Sequence, residues 1–188
     1  MLLVSFFFIQ DNRMSEDHIR KLLLEKGLSS KAVAGIMANI EVETGGSYDY
    51  TQKQIKGPGR GLFQLDPTGP LPKAYKSWLG KREDSAASQI DFMYDTVYGG
   101  NQDVIGRGHA KKLRTSFEKG SAEDVAKEFS NRWERPGIPH MERRIEAAKR
   151  LYSKDKAEIE MLTNFFKKEQ EATPNSSLIQ QLTQGSNQ

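Results

Sequence analysis

Between Ser30 and Gly46 the chain sets large apolar residues at Val33, Ile36, Met37 and Ile40, then presents Glu43 and stops on two glycines. The i, i+3, i+4, i+7 spacing is that of a helix with one buried face. Ser29 and Ser30 are placed to cap its start, and Gly45-Gly46 to turn the chain left-handed at its end. At about 100° per residue Glu43 continues the apolar stripe one turn past Ile40, whereas Glu41 falls on roughly the opposite side and is expected to be solvated. Any fold that accepts this helix must cover its apolar face and bring one carboxylate to the edge of that cover.

The position has a chemical consequence. Partial desolvation disfavours the charged form of Glu43, and the negative end of the helix dipole disfavours it further. Both effects keep the proton on. A carboxylic acid still protonated near neutral pH is what protonates the leaving oxygen of a glycosidic bond. Asn39, one turn earlier, is expected to hydrogen-bond this acid and orient it.

The rest of the chain is dominated by helix signals. Ser15 to Lys26 reads as a helix with Ile19, Leu22 and Leu23 inward; Gly45 to Gly61 is loop or short hairpin; Pro72 to Leu79 is a short helix. Ser85 to Tyr98 turns Ile90, Met93, Tyr94 and Val97 to one side. Ser121 and Asp124 form the start of a helix whose Val125, Phe129 and Trp133 pack inward, and Pro139 to Tyr152 is a further helix with Ile145, Ala148 and Tyr152 inside. With 188 residues and 36% hydrophobic content the chain supports one well-packed domain and a modest extension. The expected organisation is an N-terminal extension over residues 1–13, a mainly helical domain over 14–152, and an amphipathic helix with a polar tail over 153–188. In that last segment Ile159, Leu162, Phe165 and Phe166 need something to pack on.

Several classes are excluded. There is no cysteine, hence no disulfide framework or thiolate metal site, and His18, His109 and His140 form no ligand motif, so no cofactor and no metal are expected. The net charge of +3 comes from basic residues interleaved with acids, without the Lys/Arg stripe of a nucleic-acid binder. The apolar run Leu2 to Ile9 is too short to span a bilayer and lacks the basic start and small-residue cleavage site of a signal peptide. No nucleic acid and no stable membrane insertion are expected.

Two further segments complete a pattern. Gly57-Pro58-Gly59-Arg60-Gly61 leads into Leu62-Phe63-Gln64-Leu65-Asp66, read as a short strand with Leu62, Gln64 and Asp66 on one face. Gln64 offers a donor and acceptors suited to a sugar N-acetyl or hydroxyl group. Trp133-Glu134-Arg135-Pro136-Gly137 ends a helix at a proline. Asn39, Glu43, Thr44 and Gly45, then Gly61, Leu62 and Gln64, then Trp133 to Pro136 followed by Arg143, Arg144, Ala147 and Ala148, fall in an order that resembles the lysozyme-like domain of phage tail lysozymes. Goose-type lysozymes and soluble lytic transglycosylases are more distant likenesses. The resemblance spans about Ile19 to Tyr152. Leu65-Asp66-Pro67 departs from it, standing where an aromatic often follows the glutamine.

The resemblance implies a mainly α, lysozyme-like single domain with a small β-hairpin or extended segment beside the active-site cleft. It implies cleavage of the β-1,4 bond between N-acetylmuramic acid and N-acetylglucosamine in peptidoglycan, with Glu43 as general acid. The second group is left open among Asp66, Asp49 and the muramic acid 6-hydroxyl, which separates hydrolysis from transglycosylation. An inverting enzyme needs carboxylates about 6.5 to 9.5 Å apart and a retaining one about 5 to 5.5 Å. Around the substrate the expected residues are Asn39, Gln64, Tyr48, Tyr75 and Glu134; an ion pair of Glu134 with Arg135 or Arg143 is also expected, and Trp133 is expected in the core. The implied partners are glycan strands and, through the C-terminal helix, other virion or tail proteins. The implied location is a phage tail or the medium after release from an infected cell, and the rival reading is a non-catalytic, wall-binding tail component.

Overall fold

In a computed structural model the chain is described over residues 15–172, apart from residue 56 and the side chains of residues 169–172. The extension expected at residues 1–13 and the polar tail from Thr173 lie outside the described residues. Seven α-helices are described: α1 (Glu16–Glu25), α2 (Ser30–Thr44), α3 (Pro70–Leu79), α4 (Ala86–Tyr98), α5 (Arg107–Lys119), α6 (Ala122–Phe129) and α7 (Met141–Ala172). A 3-10 turn, Gln102–Val104, precedes α5, and a wider π turn, Ser130–Glu134, follows α6. The chain divides into two compact units, one running to Tyr152 and one starting at Ser153. No helix among the described residues is long and apolar enough to cross a membrane.

The predicted caps form. Ser15 accepts from the His18 amide, Ser29 from the Ala32 amide, and Gly45 closes α2 at φ 60°. Ser85 with Ser88, and Ser121 with Asp124, make reciprocal capping boxes that satisfy the first free amides of α4 and α6. The helix over Arg107–Lys119 has no counterpart in the sequence reading. Its apolar residues are sparse: it turns Ala110, Leu113 and Phe117 inward, with Ser116 beside them.

At the centre of the first unit is α2. Every residue from Ala32 to Ile40 is buried, so this helix is covered on all sides and not along one stripe as its spacing suggests. The small residues Ala32, Ala34, Gly35 and Ala38 between the large ones allow it: they let neighbouring backbones approach closely. The tightest approach is to α6. A Cβ on Gly35 would stand 2.5 Å from the Val125 side chain and 2.6 Å from the Ala122 carbonyl oxygen. The aromatic side of the core stacks Phe129 on Trp133 with centroids 5.1 Å apart and tilts Phe63 against Trp133 at 4.6 Å.

Two local expectations are corrected. Gly61 to Gln64 is a turn, with isolated bridges Lys53 to Arg60 and Arg60 to Leu65 in place of a strand, so the extended element beside the cleft is minimal. The alternation of Leu62, Gln64 and Asp66 therefore fails: Leu62 and its neighbour Phe63 are both buried, and Gln64 has a φ of 44°. The inner stripe of α7 is also displaced from Ile145 and Tyr152, which are half-buried, to Arg144, Ala147, Ala148 and Leu151.

Gly35→Ala should test the central packing. Alanine favours the helix by about 1 kcal/mol, but it must push back a backbone carbonyl, and overpacking of this kind costs about 1–3 kcal/mol. A lowered unfolding midpoint is expected; an unchanged or raised one would show that α2 and α6 do not meet this closely.

Candidate active site

The site is organised around a cation that the fold has buried. Arg144, on the inner stripe of α7, is 0% exposed, and four acceptors surround its guanidinium. Nε donates to the Pro139 carbonyl at 2.6 Å, Nη1 to Asn39 Oδ1 and to Glu134 Oε2 at 2.6 Å each, and Nη2 to Glu43 Oε1. Three separate stretches deliver these partners to Arg144 on α7: Asn39 and Glu43 lie one turn apart on α2, Glu134 closes the π turn, and Pro139 lies just before α7. Asn39 is itself fixed, donating to the Gly35 carbonyl at 2.8 Å and the Ala126 carbonyl at 3.2 Å.

The π turn explains why Glu134 points inward. Trp133 and Glu134 are consecutive, yet Trp133 is 1% exposed and the Glu134 side chain 2%. The extra residue of the turn, closed by the Arg135 amide donating to the Ser130 carbonyl at 2.8 Å, lets both be buried at once. Trp133 Nε1 donates to Thr96 Oγ1 at 2.9 Å, as a buried indole requires. Arg135 then takes a left-handed φ of 51°, and its guanidinium turns away to the Arg132 and Ile105 carbonyls.

Desolvation raises one carboxyl of this site, that of Glu134. Complete burial, opposed by the Arg144 charge and reinforced by the Glu43 charge, pushes it from an ordinary 4.5 up to about 8. Its second oxygen, Oε1, has no hydrogen-bond partner among the described residues. Glu43 meets a guanidinium that no helical-phase argument could anticipate, and its side chain is 16% exposed.

Other expected residues separate into those the cleft holds and those it does not. Glu43, Gln64, Asp66 and Glu134 all line one cleft of about 610 Å³, together with Arg143 and His140. Gln64 donates to the Gly61 carbonyl at 2.7 Å and the Gln52 carbonyl at 3.1 Å, which leaves its buried Oε1 without a partner. Asp66 is exposed and accepts from both the amide and the hydroxyl of Thr68 at 2.8 Å, which lowers its pKa. Asp49 makes the same local turn with Thr51 and does not line this cleft.

Tyr75 lines an adjoining cavity of about 520 Å³ with Tyr50, Phe92 and Trp133. Its hydroxyl donates to Asp84 at 2.6 Å, and its pKa is raised, first by burial.

Tyr48 is corrected as a stacking candidate. It is 4% exposed, and its hydroxyl donates to Glu41 Oε2 at 2.9 Å, so no ring face is open. Glu41 is likewise not simply solvated, since Arg150 pairs with it. Asn39 orients Glu43 only through Arg144, not by direct contact. The cation of Glu134 is Arg144, neither Arg135 nor Arg143.

Sequence reasoning overlooked Arg144 as the centre and Gln89 as a support. Gln89 Oε1 accepts from the Leu62 amide at 2.9 Å, and its Nε2 donates to the Tyr50 carbonyl and to Asp84, pinning the loop that carries Gln64. A signal for Arg144 existed: it heads the spacing Arg144, Ala148, Leu151, where a long apolar residue is expected. A buried arginine demands acids nearby.

A mainly helical domain with a glutamate at the edge of its central helix, facing a cleft, is of the lysozyme-like class. The family model for phage tail lysozyme matches residues 15–154, and the chain belongs to that family. No curated protein and no solved structure matches the chain.

The raised Glu134 carboxyl predicts a pH dependence of stability. Between about 4.5 and about 8 the folded chain holds a proton there that the unfolded chain has lost. Stability from this group is therefore complete below that window and falls as pH rises through it, by on the order of 3 kcal/mol or less. Urea unfolding at both ends of the window should show the fall in the natural chain and its absence in Glu134→Gln. Equal slopes in the two proteins would place the proton elsewhere.

Proposed function

We propose that this chain is a peptidoglycan glycosidase that cleaves the β-1,4 bond between N-acetylmuramic acid and N-acetylglucosamine, with Glu43 as general acid. The observation that carries the reading is Glu43 at the wall of the cleft that also holds Gln64 and Asp66. The membership in the phage tail lysozyme family supports it. Gln64, in the wall of this cleft, is an amide suited to a sugar hydroxyl or an N-acetyl group.

Asp66 is the second carboxylate in this account. Its bonds to Thr68 lower its pKa and so keep it ionised, as a base activating water or a nucleophile must be. We therefore favour hydrolysis over transfer to the muramic acid 6-hydroxyl. The enzyme would act on the host wall from a phage tail or on release from an infected cell. The C-terminal segment, where Ile159, Leu162, Phe165 and Phe166 are each about half exposed, would serve for contact with other virion proteins.

Clearing of a Gram-negative peptidoglycan suspension should fall by about 1,000-fold in Glu43→Gln, with the thermal melt nearly unchanged. Full activity in that variant would remove Glu43 from the mechanism. Muropeptides released by the natural protein should carry reducing ends, and Asp66→Asn should lose them. Release of 1,6-anhydro ends at an undiminished rate in Asp66→Asn would instead assign the attack to the muramic acid hydroxyl.

A further inference from the structure

A general acid must hold a proton when substrate arrives, yet Glu43 receives a hydrogen bond from Arg144, and an adjacent guanidinium favours the charged carboxylate. The same guanidinium also binds Glu134, buried to 2% exposure at the cleft wall with one oxygen unpartnered. Two carboxylates thus share one fixed cation. With a single proton between them the group is neutral; with none it carries an uncompensated negative charge beside the core, which burial penalises heavily. One proton on the pair is the arrangement that this burial favours.

We propose that Glu134 is a positioning residue that stores the proton Glu43 delivers. This rests on the reading of Glu43 as the general acid. In the free protein Glu134 is the neutral acid and Glu43 the carboxylate paired with Arg144. When a glycosidic oxygen enters and displaces Nη2 of Arg144 from Glu43, the proton leaves the Glu134 carboxyl and joins Glu43. Glu134 becomes the carboxylate and Arg144 remains its counterion through Nη1. The net charge of the three groups is zero before and after, so the exchange requires no counter-charge from solvent. Glu43 then gives the proton to the leaving oxygen as the glycosidic bond breaks. Other ionisable groups lining the cleft are Arg143 on α7, His140 just before it, and Asp66. The Arg135 guanidinium faces the Arg132 and Ile105 carbonyls instead.

The test combines a pH profile of wall clearing with infrared spectroscopy of the full-length protein. In the natural protein a protonated-carboxyl C=O stretch should be present at neutral pH and titrate with the alkaline limb of activity. Glu134→Gln should lose that band, lose about 100-fold in clearing at neutral pH, and shift its alkaline limb to lower pH. Glu134→Asp, which retains a proton to give, should recover part of the activity and of the limb.

A Glu134→Gln protein that melts normally and keeps the natural alkaline limb would overturn the inference while leaving Glu43 as the acid. Absence of the protonated-carboxyl band in the natural protein would overturn it without any variant needing to fold. Clearing retained in Glu43→Gln would fail the reading beneath it, a separable result.

Discussion

The guanidinium of Arg144 is the interaction on which the rest depends. An arginine with no solvent exposure is tolerated only if its donors are met and its charge is opposed. Here a carbonyl, an amide and two carboxylates meet them, drawn from α2, the π turn and the segment before α7. No other polar contact among the described residues ties so many elements. It fixes where α7 enters the first unit, how the π turn is oriented, and which glutamate of α2 lies at the cleft.

The local chain chemistry follows from that requirement. Small residues on α2 let α6 approach, which brings the Ala126 carbonyl to Asn39 and so aims Asn39 Oδ1 at Arg144. The π turn after α6 adds one residue to the helical spacing, and the extra residue allows Trp133 to fill the aromatic core while Glu134 reaches the cation. One guanidinium opposed by two carboxylates is an unbalanced set. The imbalance lifts the more buried acid, Glu134, and leaves the other facing the cleft.

The sequence made the helices, their caps and the identity of α2 legible, because capping and apolar spacing are local signals. It missed α5, whose inward residues are few, and misread Gly61 to Gln64 as a strand, since a left-handed φ at Gln64 has no compositional mark. At the site it separated Glu43 from Glu41 by phase, while the physical distinction is which arginine each one meets, Arg144 or Arg150. Tyr48 is expected beside the substrate on residue type alone; its bond to Glu41 is tertiary and invisible to spacing. In the sequence Arg144 stands as one residue of a motif, without a mark of its central place. An arginine on the inner stripe of a helix is a statement that acids lie across from it.

The central claim, that one buried cation holds Asn39, Glu43 and Glu134 in a single network, is tested most directly by a double-mutant cycle on unfolding free energy with Arg144→Met and Glu43→Gln. Arg144→Met alone should destabilise by on the order of 3 kcal/mol, because it strands the negative charge of the Glu43–Glu134 pair without its counter-charge. Adding Glu43→Gln should restore part of that loss, giving a coupling of about 1–3 kcal/mol between the two sites. Strictly additive effects would contradict the account, since they would mean that the carboxyl pair does not depend on Arg144.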